Sequence, residues 1–536
     1  MSVPNTLLDI GWKSQVFLDN YMIETCEAVT RTVHQPKRFS GNPLITKDQA
    51  WERFLYPRCN SFSVLYDPKE KLFKAWYEDE GMDAEDIQRR LDSGEITSFS
   101  QRLTDDYDNC YLYAESEDGI TWRKPPLGVR KINGQDTNIC FGDREKYHQV
   151  HAATFLLDPF EEDEAKRFKV IYMAVGERVD APRNRQIRAA YSADGRYWTR
   201  YEEPVRFGPW EDKEILNDVI VLSADEVIGQ YVLDTRGGSC FKPFSPRNPK
   251  SLVMMQIHPN DAEHYPMRRI GSATSKDILH WPMVDEMLVP DYAQDSLDDE
   301  YYCMSRFRMG DLQVAFLHIF HSVSNTLEPA LIYSRDGWNW TRPGWGNPFF
   351  PLGGADSWDR YMVEMPGRPI PVGDELWIYY GGSNGRHDWW FWGAREGMDE
   401  EDVPEAYHID QVRMSIGLAK LRLDGFVSLD TTLREGVLLT RPFISEGRQL
   451  QVNVDCGEKG TFEAELLDLN ERVIPGYERA RCDVFHGNSV RHIVSWKGKK
   501  ELPEAVLSKG ARLRFFSRST SLYSFCITDG PEGEAK

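Results

Sequence analysis

The chain has 536 residues, 41% of them hydrophobic and 28% charged, so it can bury a sizeable interior and is neither a small stapled scaffold nor wholly disordered. Lysine and arginine number 64 against 85 aspartates and glutamates, and the net charge of −21 opposes binding to nucleic acid or anionic lipid. No segment reaches the eighteen or so unbroken apolar residues of a membrane span, so we expect a soluble protein of two domains, or one large repetitive one.

The start of the chain and the cysteines bear on the cellular compartment. The sequence from Met1 to Thr6 has no basic start followed by an apolar stretch, so it does not predict export, and we expect a cytoplasmic protein. Nine cysteines are scattered without a C-x-x-C spacing that would indicate zinc or redox chemistry. We therefore expect reduced thiols, mostly packed in the interior.

Pairs of short apolar strands follow one another along the chain. Most flank a turn rich in Asp, Pro or Gly, as in Asp67-Pro68 and Met309-Gly310-Asp311, which predicts a series of hairpins. The five predicted pairs are 61–66 with 72–77, 152–157 with 168–174, 219–222 with 230–234, 303–308 with 312–320, and 361–370 with 376–380.

A second type of turn follows these pairs. The sequence S-x-D-G-x-x-W occurs at 116–122, 192–198 and 334–340, and degenerate copies lie at 275–281 and 423–426. Glycine accepts positive φ and aspartate bonds its own backbone, so these are tight hairpin turns with a structural role. Two hairpins in each of five units predict four-stranded blades around an axis, that is, an all-β fold with a five-bladed β-propeller.

The repeat ends near Val427. Short alternating stretches follow, at 449–454, 461–467, 492–496, 511–516 and 522–528, and they are typical of a β-sandwich. We therefore predict a catalytic propeller domain with a leading segment over residues 1–427 and a sandwich domain over 428–536. Residues 15–42 are expected to supply a strand to the last blade, and the sandwich offers a surface for a homo-oligomer.

The predicted topology separates two faces of the propeller. Both hairpin turns of a blade lie on one face, and the other face receives the strand starts and the long loops, at 78–109, 236–268 and 381–411. Glu78, Asp79 and Glu80 are interpreted as a solvated charge run. The residues expected to bind substrate on the loop face are Arg58, Asn60, His148, His151, Asp234, Arg236, His321, Glu364, His387 and Trp389.

Three carboxylates are candidates for catalysis in the axial pocket. Asp218 and Glu300 each lie at the start of an apolar innermost strand, and Asp359 lies near the start of the fifth unit. Acidic groups from different blades that meet in one pocket could act as the proton donor and the base that glycosidic cleavage needs. Ion pairs with nearby arginines are the structural alternative, because burying an unpaired carboxylate is costly.

These features resemble the five-bladed propeller glycoside hydrolases, especially family 32 and its relatives 43, 68 and 130. The propeller followed by a sandwich is similar to the family 32 layout, and Asn42-Pro43-Leu44-Ile45, Trp51-Glu52, Asn60 and Tyr66-Asp67-Pro68 are similar to the first blade of family 130. The family 32 motif W-M-N-D-P-N-G is absent, and Arg58-Cys59-Asn60 stands where its aspartate would be expected.

The resemblance implies a glycoside hydrolase that cleaves a terminal glycosyl unit or a small oligosaccharide. Glu300 fits the general acid of these families, with Asp218 or Asp359 as base. A pair formed by Glu300 and Asp218 from neighbouring blades would favour a wide separation and inversion of configuration. Carbohydrate is the expected partner.

Two other functions stay open. One is a glycoside phosphorylase in which Arg58, His151 and Arg236 hold phosphate. The other is a carbohydrate-binding propeller without chemistry. We expect no cofactor and no metal ligand among these residues, with calcium or another ion on the axis as the open alternative.

Overall fold

The computed structural model describes residues 7–96, 109–142, 149–175, 185–208, 218–236, 268–291, 293–344, 348–389 and 397–529. Strands predominate throughout these residues, so the chain is all-β, as predicted. None of the helices among them is long and apolar enough to cross a membrane. Every cysteine in these ranges is a free thiol, and most are buried, as expected.

Three four-stranded antiparallel sheets follow one another in the first half of the chain, and in each the first strand in sequence lies at one edge. Sheet 1 consists of Phe62–Asp67, Leu72–Asp79, Cys110–Ser116 and Ile139–Phe141. Sheet 2 consists of Gln149–Leu157, Phe168–Val175, Arg185–Ser192 and Thr199–Arg200. Sheet 3 consists of Ile220–Asp225, Gln230–Arg236, Ile270–Ser275 and Asp285–Leu288.

An eight-stranded sheet comes next and has two halves, which the parallel pairing of Leu327 with Met362 joins. Half A consists of Asp299–Met309, Leu312–His321 and Thr326–Ser334. Half B consists of Met362–Glu364, Ile370–Val372, Glu375–Ser383, Met414–Arg422 and Lys37–Arg38. The last of these strands comes from the start of the chain, so the leading segment does supply a strand beside the last repeat unit.

One predicted strand is wrong in detail. The segment 361–370 was predicted as a single strand, but it forms two short ones, Met362–Glu364 and Ile370–Val372. Pro366 and Pro369 lie between the two short strands. Proline has no N–H with which to continue the backbone hydrogen bonds of a sheet.

Two further sheets share one hydrophobic core, with Leu450 and Phe525 from one sheet and Ala464 and Phe515 from the other. The six-stranded sheet consists of Asn488–Ile493, Gln449–Asp455, Ser521–Thr528, Val427–Asp430, Thr30–Val33 and Gln15–Val16. The four-stranded sheet consists of Ile23–Glu27, Gly436–Thr440, Arg512–Arg518 and Thr461–Leu467. Three strands of the leading segment therefore pair with the C-terminal strands.

The remaining elements are short. The two-residue pairs are Leu8–Asp9 with Phe443–Ile444, Lys131–Ile132 with Gln135–Asp136, and Arg206–Phe207 with His280–Trp281. The helices are Ala84–Asp92, Pro404–Tyr407 and Glu504–Leu507, with 3₁₀ turns at Glu164–Lys166, Ile409–Gln411 and Arg479–Arg481.

The helix Ala84–Asp92 was not predicted. The Asp83 side chain caps it by accepting a hydrogen bond from Asp86 N at 3.0 Å. Gln88 then ties the helix to the 3₁₀ turn Ile409–Gln411, because its Oε1 accepts from Ile409 N at 2.8 Å. This contact joins two of the long loops that the sequence places on the site face.

Sheets 1 to 3 and the two halves contact one another in a cycle. Each contact joins one group to the next, and the last group returns to the residues that lead into sheet 1. In this order the contacts are Ser63 with Phe155, Thr154 with Ile220, Asp234 with Arg306, His318 with Met365, and Glu364 with Cys59.

The repeated turns pack where neighbouring groups meet. In the sheet 2 copy, Ser192 Oγ accepts from Gly195 N at 2.9 Å, and Gly195 has φ +77°. The Trp76 ring of sheet 1 lies so close that a Cβ on Gly195 would come within 2.5 Å of it, and Trp76 Nε1 donates to Gly195 O at 2.6 Å. The turn motif therefore joins the groups, which agrees with its predicted structural role.

Candidate functional site

Two irregular first strands supply side chains to the candidate site. Pairing shifts between His151 and Thr154 in sheet 2, where Ala152 has φ +56°, and between Tyr301 and Cys303 in half A. A bulge bends a strand and changes the direction of its side chains. These two bulges lie beside His151 and Tyr302, which both belong to the site.

Tyr302 is the centre of a cluster of three guanidinium groups. The guanidinium carbons of Arg58, Arg236 and Arg268 lie 5.4, 4.6 and 5.6 Å from the centroid of its ring. Distances of this size are those of cation–π contacts. His387 packs edge-on to the same ring at 4.9 Å, and burial is the main cause that lowers its pKa to about 4.

Each of the three arginines binds a carboxylate. Arg58 Nε donates to Glu364, Arg236 Nη2 donates to Asp218, and Arg268 Nη1 donates to Glu300 at 2.7 Å. Asp218 and Glu300 therefore form the ion pairs that the sequence offered as the structural alternative, and both pairs belong to the cluster.

The Arg58–Glu364 pair is almost completely buried, with side chains 3% and 1% exposed. Burial alone would raise the pKa of Glu364, but the charge of Arg58 and the Cys59 N–H, 2.8 Å from Oε2, hold it below its usual value. Arg58 also donates to Tyr56 Oη at 3.1 Å, while its Nη2 is buried without a hydrogen-bond partner in the described part of the chain.

His151 carries a charge at neutral pH. Its Nδ1 lies 2.6 Å from Glu78 Oε1. Burial would lower the pKa of His151, but Glu78, with smaller effects from Asp218 and Glu80, raises it to about 9. A cationic imidazole therefore stands beside the Glu78 carboxylate, within the electrostatic influence of Asp218.

The interpretation of Glu78, Asp79 and Glu80 as a solvated charge run is wrong. Their exposed fractions are 0%, 2% and 7%. Glu78 accepts four hydrogen bonds, which come from Asn109 Nδ2, Tyr111 Oη, His151 Nδ1 and Ala152 N. Burial of this carboxylate is compensated by donors from other strands, which no local sequence pattern reveals.

Two groups of side chains have ligand atoms close enough to suggest a metal ion. One is Glu78, Glu80 and His151. A carboxylate has about four lone-pair sites, and the four donors above occupy those of Glu78. This group therefore fits a hydrogen-bonded network and not a metal centre.

The second group is Cys59, Cys303 and His318, all buried. Met365 N donates to His318 Nε2 at 2.7 Å, so the neutral ring carries its proton on Nδ1. A metal on Nε2 would displace this bond, and a metal on Nδ1 would require a doubly deprotonated ring. These residues do not fit a metal with the ring in this orientation.

The other predicted residues divide between the cluster and distant positions. Asn60 belongs to the cluster, because its Nδ2 donates to Asp218 O. His321 is partly exposed, and its Nδ1 lies 2.6 Å from Asp299 Oδ1. Burial would lower the pKa of His321, but the hydrogen bonds to Asp299 and Glu328 raise it to about 10. Trp389 lies 5.2 Å from the guanidinium carbon of Arg386. His148 lies outside the described residues.

Two predicted acids lie in ion pairs away from Tyr302. Asp359 is fully buried and accepts from Arg38 Nε at 2.7 Å and from Tyr380 Oη at 3.1 Å. Asp234 receives both Nε and Nη2 of Arg306. These contacts connect strands, and the structure does not bring either carboxylate together with Asp218 and Glu300.

Tyr302 and Arg268 are the site residues that sequence reasoning missed. Tyr302 lies two positions after Glu300 on one strand, so its closeness in sequence to a predicted acid was a signal that could have found it. Arg268 precedes a strand of sheet 3 and has no comparable signal, because its role depends on Glu300 from half A.

Comparison with known proteins gives distant structural neighbours. No known family profile and no curated protein matches the chain. One similar solved structure is an N-acetylgalactosamine deacetylase from F. plautii in complex with blood group B trisaccharide, at 12% identity and TM-score 0.43, covering 75% of this chain and 97% of that one.

Two other neighbours cover more of the chain. A fructofuranosidase from Schwanniomyces occidentalis complexed with fructosylnystose has 12% identity and TM-score 0.39, covering 90% of this chain and 96% of that one. A family 43 arabinoxylan arabinofuranohydrolase from Bacillus subtilis has 10% identity and TM-score 0.38, covering 92% and 99%. At this similarity, the function must be argued from the residues of this chain.

Proposed function

We propose that the chain is a glycoside hydrolase in which Glu300 is the general acid and Asp218 the general base. The observation that carries the proposal is the cluster around Tyr302. Two carboxylates from neighbouring strand groups, sheet 3 and half A, are each held by an arginine that faces the same aromatic ring. Paired carboxyl groups beside an aromatic surface supply what glycosidic cleavage needs.

The difference in exposure assigns the two roles. The Glu300 side chain is 5% exposed and the Asp218 side chain is 31% exposed. A general acid is favoured by a desolvated position, whereas the base must reach a water molecule. Asp218 would take a proton from water, the water oxygen would attack the anomeric carbon, and Glu300 would give its proton to the leaving oxygen.

This step requires the bond between Glu300 and Arg268 to open when the sugar binds. The guanidinium carbon of Arg268 also lies 4.6 Å from the centroid of the Phe320 ring, so the arginine keeps an aromatic partner when it releases the carboxyl group. Each carboxylate is paired with its own arginine, and a pair of acids from neighbouring strand groups favours the wide spacing of inverting enzymes over the narrow spacing of retaining ones.

A five-bladed propeller is the architecture we propose for this site. The cycle of contacts supports it, with sheets 1 to 3 and halves A and B as the blades and Lys37–Arg38 as the closing strand. The six- and four-stranded sheets would form the sandwich domain over residues 428–536, completed by strands of the leading segment.

The decisive experiment is Glu300→Gln assayed on a panel of aryl glycosides and oligosaccharides. We expect loss of turnover of substrates with poor leaving groups, and a smaller loss for aryl glycosides, because an activated leaving group needs less protonation. Glu375→Gln, at the partly exposed start of the strand Glu375–Ser383 of half B, is the matched control. Full activity of Glu300→Gln would overturn the proposal, and tight sugar binding without any product would favour a binding protein.

A glycoside phosphorylase is the second candidate. The buried Arg58 Nη2 without a partner among the described residues and the protonated His151 favour it, because both could bind phosphate. Assays with and without inorganic phosphate separate the two enzymes. A sugar phosphate as the product would favour the phosphorylase.

A further inference from the structure

A cleft of 480 Å³ lies between sheet 3 and half A, at the turn end of their strands. Arg306 and Arg308 line it, and both belong to the strand Asp299–Met309 that carries Glu300 at its other end. Tyr302 and Arg306, the nearest pair on this strand, are four residues apart, which corresponds to roughly 13 Å. The cleft is therefore separate from the Tyr302 cluster.

The rim of the cleft is apolar and exposed. Val227 and Ile228 lie in the turn between two strands of sheet 3, and Trp338 lies in the S-x-D-G-x-x-W turn of half A. They are 55%, 46% and 45% exposed. Large apolar side chains that are exposed together around a concave surface indicate a binding site.

Trp338 is not needed by the turn in which it lies. Ile120 and Arg196 occupy the same position in the other two full copies of the motif. In the turn, the backbone N of Trp338 donates to Asp336 Oδ1 at 2.8 Å, a bond that any residue but proline could form. The indole of Trp340, by contrast, donates to Gly337 O at 3.1 Å and fixes the turn.

The charged side chains of the cleft already have partners. Of its two carboxylates, Asp311 pairs with Lys13, and Asp336 accepts hydrogen bonds from the backbone of its own turn. Each arginine that lines the cleft forms an ion pair with a carboxylate that does not line it. These pairs are Arg306 with Asp234, Arg308 with Asp225, and Arg335 with Asp19. An anionic ligand would have to break one of these pairs, so the cleft favours an uncharged ligand.

We propose that this cleft binds a neutral saccharide chain, with a sugar ring against Trp338 and its hydroxyl groups toward Ser272, Thr274 and Gln313. A ligand with an apolar face and many hydroxyl groups matches an indole, two aliphatic side chains and a polar wall whose arginines are already paired. The cleft would hold a polymeric or branched carbohydrate on the face opposite to the Tyr302 cluster. This binding does not depend on Glu300 or on hydrolysis.

The test is native electrophoresis through gels that contain arabinoxylan, galactomannan, mixed-linkage β-glucan or inulin. All proteins carry Glu300→Gln, so that the polysaccharide stays intact. We expect at least one polysaccharide to retard the parent protein, and Trp338→Ala to weaken this binding by about tenfold, as for loss of a central aromatic contact. Tyr197→Ala, an exposed aromatic in the equivalent turn of sheet 2, should bind like the parent.

Several outcomes would overturn the proposal. They are no retardation by any of the four polysaccharides, equal retardation of Trp338→Ala and the parent, or equal weakening by Tyr197→Ala. Conversion of a dimer to a monomer by Trp338→Ala in sedimentation would assign the cleft to a second copy of the chain. In the protein that keeps Glu300, Trp338→Ala should leave turnover of small glycosides unchanged. Turnover of small glycosides therefore tests the hydrolase proposal, and retardation in the gel tests the cleft.

Discussion

Arg58 and Glu364 form a buried ion pair although they lie 306 positions apart in the sequence. The pair joins the residue that leads into sheet 1 to the first strand of half B. The pair therefore closes the cycle of contacts next to the candidate site. The stability of this closure and the position of Arg58 at Tyr302 depend on the same two side chains.

Glu364→Gln should destabilise the protein strongly. The substitution leaves the Arg58 guanidinium buried without its counter-charge, which costs about 3–5 kcal/mol. The midpoint of urea unfolding, followed by tryptophan fluorescence, measures this change. Glu164→Gln, which removes the exposed partner of Lys69, is the control and should leave the midpoint unchanged.

The Arg58–Glu364 pair also predicts how the free energy of unfolding changes at acid pH. Because the pKa of Glu364 is lowered in the folded state, its contribution to stability is present above the unfolded pKa, about 4.5, and is lost as the pH falls through the folded pKa. Wild type should therefore lose more stability below pH 4.5 than Glu364→Gln does. Parallel acid profiles for the two proteins would contradict this account.

His151 predicts the opposite dependence. Its pKa is raised to about 9, so its contribution is complete below the unfolded pKa of 6.5 and is lost as the pH rises through 9. The contribution is at most about 3 kcal/mol. The stability difference between wild type and His151→Gln should shrink between pH 6.5 and 9.5, and a histidine resonance that titrates near pH 9 should be absent from the variant.

Gly195→Ala tests how the repeated turns hold the groups together. Alanine would adopt φ +77° at a cost of about 1–2 kcal/mol, and its Cβ would press on the Trp76 ring for about 1–3 kcal/mol more. Gly373→Ala is matched, because φ is +60° but the space is open, and only the first cost applies. Equal unfolding midpoints for the two variants would refute the packing role.

Asp218→Asn and Asp359→Asn should separate catalysis from stability. Asp218→Asn removes the proposed base and should lower kcat by about 100-fold or more while the protein stays folded. Asp359→Asn breaks the contact with Arg38 and should lower the unfolding midpoint, with kcat per folded molecule unchanged. Arg38→Gln should behave like Asp359→Asn, and a loss of kcat in either variant would place Asp359 in the site.

Local chemistry made the strands and turns predictable. In S-x-D-G-x-x-W, the Ser, Asp and Gly bond one another within a few residues, as Ser116 Oγ and Gly119 N do at 2.8 Å, so the sequence motif contains the whole interaction. Apolar runs that flank short turns likewise located the first two strands of each of sheets 1 to 3. Among the described residues, the proline-rich segment 361–370 and the capped helix Ala84–Asp92 differed from expectation, and the stretch predicted at 492–496 is displaced to the strand Asn488–Ile493.

The site was predictable only in part, because its electrostatic pairs are not local. The sequence located Asp218 and Glu300 at strand starts, but it could not show that Asp359 would meet Arg38, 321 positions away. Glu78 looks solvated in a run of three acids and is completely buried, since its donors come from two other segments, 109–111 and 151–152. Pairing across the fold decides whether such a carboxylate serves stability or chemistry.

The exchange of strands between the two ends of the chain has a consequence for biosynthesis. Thr32 bonds Asp430, 398 positions later, and Ile23–Glu27 pairs with Gly436–Thr440. During translation, these early strands emerge long before their partners exist, and their edges stay open until the ribosome has completed the repeats. We expect the leading segment to be the last of the described strands of the nascent protein to become resistant to protease, although it is made before its partners.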